Sequence, residues 1–305
     1  MNRSNRYEDL MAPDQVVLSA DDIADLRSNY QFLLIKGFLG DVLPEPLDNY
    51  FSGQMAFMEN NRIKHLRLEP DSGFGTQKLP ENNVLAIKTS IAELLKISPD
   101  KRVVIVSHSK GGLDTLEALL SGVLNLGEEV AGWIAMQAPF AGTPLADIGT
   151  GTRIGGEIIG ELFDDVFGGD KKVLHNMRTD VRQKHLADHS RGIAELCDAI
   201  AILSFASHIS ATDLSLLSVN RKLIKVAARQ DNDGVVPQES AILTSAGQPC
   251  CPFVRASHVD HFYPVSNEKF ASHEIEGTAP NKRERLFTVL LKIWLESRHK
   301  EGGQV

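Results

Sequence analysis

A single α/β domain, with a mostly parallel sheet flanked by helices, is the fold class that the sequence predicts, and three observations carry it. Short β-branched and aliphatic runs alternate with longer amphipathic segments, the pattern of a sheet built from βαβ units. Several of these runs are apolar throughout, as strands covered on both faces must be. The runs also end in turns rich in glycine or proline. At about 150 residues per domain, 305 residues would allow two domains, but the pattern fits one sheet domain over 1–305 with a helical insertion at 150–199.

Residues 32–35 form the first buried strand and 63–68 the second. A helix follows at 83–95, with Leu85, Ile87, Ile91, Leu94 and Leu95 near helical spacing. Strand 103–106 leads to a helix over 111–124 carrying Leu113, Leu116, Leu119, Leu120 and Val123, and strand 130–136 ends at Ala138-Pro139. From about 150 to 199 the periodicity is helical, with no strand signal. Strands are expected again at 201–205, 223–227 and around Phe253-Val254. The last helix, 285–298, turns Leu286, Val289, Leu290, Ile293 and Trp294 inward.

Composition narrows the function classes. The chain is 42% hydrophobic and 24% charged, ordinary for a globular protein, which excludes a disordered or fibrous one. Its formal net charge of -8 repels phosphate backbones and argues against nucleic acid as a partner. Apolar runs such as 103–106 fall far short of the roughly 20 residues of a membrane span. Residues 1–9 carry charge with no apolar segment behind them, unlike a secretory signal. Cys197, Cys250 and Cys251 are odd in number, and their spacing matches neither a zinc motif nor a disulfide framework. A reducing compartment, the cytoplasm, is therefore the expectation.

Residues 103–112 carry the most information, because a buried strand runs into a helix through Ser107-His108-Ser109-Lys110-Gly111-Gly112. That is the strand-turn-helix setting of a nucleophile elbow, in which a strained turn projects the serine hydroxyl and the flanking residues must be small. Ser107 stands at the first glycine position of G-x-S-x-G. The plainer alternative is a helix N-cap serine. Acyl transfer also requires two N–H donors aimed at an oxyanion, one of them from the residue after the nucleophile, here Lys110. The other donor is expected after the first strand, in Lys36-Gly37-Phe38-Leu39-Gly40, with Phe38 the candidate.

Taken together, these segments resemble α/β-hydrolases of the lipase and esterase group. Lys36 to Gly40 is similar to the His-Gly-x-x-Gly oxyanion loop, with lysine in place of histidine, and Ser107 to Gly112 is similar to the elbow. Gln137 to Asp147 resembles the lipase segment after the following strand, and Asn232-Asp233-Gly234-Val235-Val236-Pro237 resembles the acid turn. The resemblance spans roughly residues 30 to 265. It implies an α/β-hydrolase fold, a catalytic triad in the order serine, acid, histidine, and no organic cofactor.

On this basis Ser109 is the nucleophile, Asp233 the acid with Asp231 as its rival, and His261 the base with His258 as the alternative. Loop solvation is the plainer role for the aspartates. His65, His175, His185 and His189 are expected at the surface. A metal platform at His185 and His189, four residues apart, lacks the glutamate of a zinc-protease motif, so no metal is expected. No ligand set for the structural calcium of some lipases stands out.

The insertion at 150–199 falls where this fold often carries a cap. Its stripe of Ile154, Ile158, Leu162 and Phe163 lines either an acyl cleft or the body, with a hinge in the glycines of 149–156. The resulting expectation is a lipase-like carboxylic-ester hydrolase acting on a small ester or lipid, with transient contact at a lipid interface. The alternatives are an acyltransferase or thioesterase with the same triad, or a binding protein that has kept only the fold.

Overall fold

The computed structural model describes residues 1–12, 16–38, 50–69, 73–150, 171–212, 217–265 and 282–298. Its centre is a six-stranded sheet of β1 (Tyr30–Ile35), β2 (His65–Arg67), β3 (Arg102–His108), β4 (Val130–Met136), β5 (Ala201–His208) and β8 (Phe253–Ser257). The strand order is β2-β1-β3-β4-β5-β8, and every pairing is parallel. Strands β6 (Thr244–Ser245) and β7 (Gln248–Pro249) form a separate antiparallel hairpin.

The continuous apolar runs have a direct cause: both faces of the sheet are covered. Side chains alternate along a strand, so Phe32 and Leu34 of β1 enter one core while Leu33 and Ile35 enter the other. In β3, Val104 and Val106 are divided from Val103 and Ile105 in the same way. The first layer is closed by α1 (Ser4–Met11), α2 (Ala20–Asn29), α3 (Ser52–Asn60) and the C-terminal α11 (Lys282–Arg298). Leu286, Val289, Leu290, Ile293 and Trp294 of α11 are fully buried there, each side chain contributing about 1.5–3 kcal/mol. The second layer holds α4 (Val84–Ile97) and α5 (Lys110–Leu120).

After β4 come α6 (Pro144–Gly149), α7 (Lys171–Asn176), α8 (Thr179–Asp188) and α9 (Ser190–Ala199). Val173, Leu174, Met177, Leu186, Ile193 and Leu196 all join the second core layer. Residues 171–199 therefore pack on the body. The apolar stripe at Ile154 to Phe163 and the expected hinge beyond Thr150 lie outside the described residues.

Two local expectations need correction. Residues 223–227 are not a strand but part of α10 (Ser218–Ala228), whose apolar residues are mostly solvent-facing: only Ile224 is buried, while Val219, Leu223 and Val226 are exposed. Leu85 also faces solvent, and α5 stops at Leu120, leaving Val123 exposed beyond it. The three cysteines, two of them adjacent and the third 53 residues earlier, come together: the sulfurs of Cys197, Cys250 and Cys251 all lie within 4.8 Å of one another.

The chain runs from β1 outward to β2 and then returns to place β3 on the other side of β1. The strand order thus reverses between β1 and β3, and the crevice outside the carboxyl ends of such strands is where α/β sheets bind ligands.

Close packing at Gly132 on β4 gives a test of the sheet. A β-carbon there would lie 2.5 Å from Trp294 Nε1 and 2.6 Å from the Ala201 carbonyl oxygen. The indole already donates to that carbonyl at 2.9 Å. Gly132→Ala is expected to displace Trp294, break this bond and lower unfolding free energy by about 2–3 kcal/mol, measured by urea denaturation.

Candidate active site

Ser109 lies between the end of β3 and the start of α5, with φ 55° and ψ -130°. A non-glycine residue with positive φ is strained by about 1–3 kcal/mol and persists only where its surroundings over-determine it. Here the following glycines let the helix approach the sheet. A β-carbon on Gly111 would lie 2.4 Å from the Lys36 carbonyl oxygen, and one on Gly112 would lie 2.3 Å from Ala138 Cβ. The Ser109 amide donates to the Met136 carbonyl at 2.9 Å, tying the turn to β4.

Two side chains that depart from the elbow and oxyanion patterns have definite partners. The Ser107 hydroxyl is buried and accepts from Trp133 Nε1 at 2.8 Å. Lys36 is buried too, with its ammonium 2.7 Å from Glu69 Oε2. The Lys110 side chain is fully buried, with Nζ 2.7 Å from Asp114 Oδ1 one helical turn on. Burial pushes the Asp114 carboxyl up to about 6 against the pull of Lys110 and Asn83.

Ser109, Asp233 and His261 converge at the carboxyl ends of the strands. Ser109 Oγ lies 2.9 Å from His261 Nε2, and His261 Nδ1 lies 2.8 Å from Asp233 Oδ2. A carboxylate partner selects the tautomer with the proton on Nδ1, so Nε2 accepts from the serine hydroxyl. The other oxygen of Asp233 accepts the amides of Val235 and Val236 at 2.8 and 2.7 Å. The rivals are elsewhere: Asp231 is exposed and paired with Lys225 at 2.7 Å, and His258 is exposed.

The loops carrying Asp233 and His261 are fastened to β5 and to each other. Asn232 O accepts from Ile209 N, His208 O from Val259 N, and Asp233 O from His261 N. Asp260 Oδ1 accepts the amides of Phe262 and Tyr263, closing the turn that presents His261. The segment beginning at Gln137 supports the acid turn from the other side: the Thr143 hydroxyl donates to Val235 O at 2.5 Å, and the Ser240 hydroxyl donates to Gly142 O at 2.6 Å.

A second histidine lies behind the first. His108 is buried, with its ring centroid 4.7 Å from that of His261. Its Nε2 faces two carbonyl oxygens, Gln137 Oε1 at 3.0 Å and His261 O at 2.8 Å, which assigns the proton to that nitrogen. Nδ1 then accepts from the Tyr50 hydroxyl at 2.5 Å, and the same hydroxyl accepts the Gly37 amide at 2.9 Å. Gln137 completes the network by donating to Ser207 Oγ and Asp260 O. Burial first, and the neighbouring His261 second, hold His108 well below the usual histidine range. Tyr50 carries no local signal, whereas Gln137 stands in the sequence as the first residue of the lipase-like segment and His108 beside the serine, neither marked for this role.

The other oxyanion candidate follows a tight contact. A β-carbon on Gly37 would lie 2.7 Å from Ser109 Cβ, so the end of β1 abuts the serine, and Phe38 is the next residue. Lys110, as the first residue of α5, stands at the positive end of that helix's dipole.

Two of the histidines expected at the surface, His65 and His185, are partly buried. His185 Nε2 lies 2.5 Å from Glu117 Oε1, and its ring stacks on His189 at 4.3 Å. No group of three metal-binding side chains includes that pair among the described residues.

No known family model matches the chain, and no curated protein matches it. Among solved structures it is similar to the metagenomic carboxyl esterase MGS0156, with 19% identity and a TM-score of 0.65 over 93% of this chain and 79% of that one. It is similar to the mature Bacillus licheniformis lipase BlEst2, with 18% identity and a TM-score of 0.59 over 77% of this chain and 86% of that one. The Legionella pneumophila phospholipase PlaB aligns with 12% identity and a TM-score of 0.60 over 89% of this chain and 60% of that one. The chain has the α/β-hydrolase fold. Among the described residues, no helix is long and apolar enough to cross a membrane.

The neutral His108 makes stability depend on pH. Its pKa in the folded protein lies below the unfolded value of about 6.5, so between the two values the unfolded chain binds a proton that the native one does not. The stabilisation is complete above that pH and is lost as pH falls, by up to about 1.4 kcal/mol per unit. Urea unfolding from pH 7.5 to 5 should show this slope in the wild type and a shallower one in His108→Gln.

Proposed function

We propose that the protein is a carboxylic-ester hydrolase, lipase-like in fold, working through an acyl-enzyme on Ser109. The observation that carries this reading is the unbroken hydrogen-bond chain from Ser109 Oγ through His261 to Asp233, built on a strained turn. Strain kept at one residue, with a base in hydrogen-bond reach, is a costly arrangement for a purely structural turn.

In the proposed reaction His261 Nε2 takes the hydroxyl proton as Ser109 Oγ attacks the ester carbonyl. Asp233 holds the Nδ1 proton and stabilises the imidazolium, its own charge fixed by the Val235 and Val236 amides. The backbone amides of Phe38 and Lys110 are assigned to the oxyanion of the tetrahedral intermediate. His261 then protonates the departing alkoxide, and water attacks the acyl-enzyme with the same histidine as base. A neutral His108 spares the imidazolium a positive neighbour.

The substrate class is an ester or lipid. The lipase and esterase names of the similar structures support this. Hydrolysis of p-nitrophenyl esters over a short-to-long acyl series tests the reading. Wild type is expected to turn over and folded Ser109→Ala to lose about 10⁴-fold or more in kcat. An inert wild type alongside acyl transfer to an added alcohol or amine would move the assignment to an acyltransferase. Equal activity in the variant would remove Ser109 as nucleophile.

A further inference from the structure

All three cysteines of the chain meet near the segments that enter β5 and β8, although 53 residues separate Cys197 from Cys250. Cys197 lies near the end of α9, Cys250 directly follows β7, and Cys251 leads toward β8. The Cys197 and Cys250 sulfurs are 2.6 Å apart, well inside the separation of two unbonded sulfurs at rest. Cys251 is different: it is buried, and its sulfur rests 3.4 Å from Ser204 Oγ on β5. Cys197 and Cys250 are both partly exposed.

The pair is held in place by contacts that do not involve sulfur. The β6–β7 hairpin turns through Ala246 and Gly247, both with positive φ, the two-residue geometry that fixes strand register. Its Ser245 hydroxyl donates to Ser190 O at 2.7 Å, and its Ala246 amide donates to Ser190 Oγ at 3.0 Å. Ser190 opens α9 and Cys197 lies two turns on, so the helix is fixed to the hairpin at one end and aims its thiol at Cys250 at the other. The Cys250 thiol also reaches the Leu243 carbonyl at 3.7 Å.

We propose that Cys197 and Cys250 are an oxidisable dithiol, closing to a disulfide that joins α9 to the segment entering β8, with Cys251 remaining a buried thiol. A thiophilic metal fits this geometry less well. Zinc–sulfur bonds of about 2.3 Å in a tetrahedral site hold sulfurs about 3.8 Å apart, so the pair would have to open by more than 1 Å. A disulfide of about 2.05 Å requires a smaller movement in the opposite direction.

The oxidant is a small-molecule disulfide, R–S–S–R. One cysteine thiolate attacks a sulfur of R–S–S–R, its S–S bond breaks, and R–S⁻ leaves and takes up the proton. The second cysteine thiolate attacks the cysteine sulfur of the mixed disulfide and expels the second R–SH. Two protein thiols are oxidised and one small disulfide is reduced to two thiols.

The test equilibrates the full chain with graded ratios of reduced and oxidised glutathione, quenches by alkylation in denaturant, and maps the peptides by mass. The expected result is three alkylated cysteines under reducing conditions and one, Cys251, under oxidising conditions, with Cys197 and Cys250 in one linked peptide. The oxidised protein should melt about 5 °C higher than the reduced one, as expected for a closed loop of this length. Cys197→Ala should show no oxidant-dependent shift, and the wild-type peptide map decides the linkage even if that variant folds poorly. Three alkylatable cysteines at every ratio, an adduct that stops at the glutathione mixed disulfide, a bond to Cys251, or stoichiometric zinc holding the thiols would each overturn the proposal.

Discussion

The contact between α5 and the ends of β1 and β4 is the constraint on which the rest of the site depends. Gly111 and Gly112 bring the helix so near the Lys36 carbonyl and Ala138 that no β-carbon fits, and this approach holds Ser109 at φ 55°. The strain is local, but its support is global: both flanking strands belong to a sheet buried on two faces. A loop serine would satisfy the same hydrogen bonds without this rigidity, and would place its hydroxyl less well.

The polar groups around the site form a connected network in a mostly apolar surrounding. Tyr50, His108, Gln137, Ser207 and Asp260 join the end of β1 to the loop of His261, each donor matched to an acceptor. Such networks are worth their desolvation only when satisfied, and here satisfaction fixes the tautomer of His108. On the far side of the elbow, Lys110 and Asp114 form a fully buried ion pair, and Asn83 donates to Asp114 while clamping the backbone of Gly75. The Ser109 turn is thus set between two buried polar clusters, one from each side of the sheet.

Much of this was legible in the sequence because it is encoded locally. The runs at 32–35, 103–106 and 130–136 are strands since a doubly covered sheet needs continuous apolar residues, and the elbow is written in six adjacent positions. Motif order placed the candidates, the Asp-x-x-Val-Pro register favoured Asp233 and the Asp260-His261 pair favoured His261, and in the structure both are buried while Asp231 and His258 are exposed. The error at 223–227 has a clear cause. Leu223, Ile224 and Val226 read as a β-branched run, but α10 buries only Ile224 and leaves the others in solvent, so composition misled where burial did not follow. Tyr50 and the three cysteines were illegible for another reason: their partners are distant in the chain, and only the folded topology supplies the proximity.

Whether the folded turn makes Ser109 nucleophilic can be read by covalent trapping. A fluorophosphonate probe, incubated with native and with urea-unfolded protein and followed by peptide mass mapping, reads which serine reacts. The account predicts one adduct per native chain, on Ser109, with none after unfolding or in His261→Ala over the same period. Adduct formation at another serine, or at Ser109 equally in folded and unfolded chains, would contradict it.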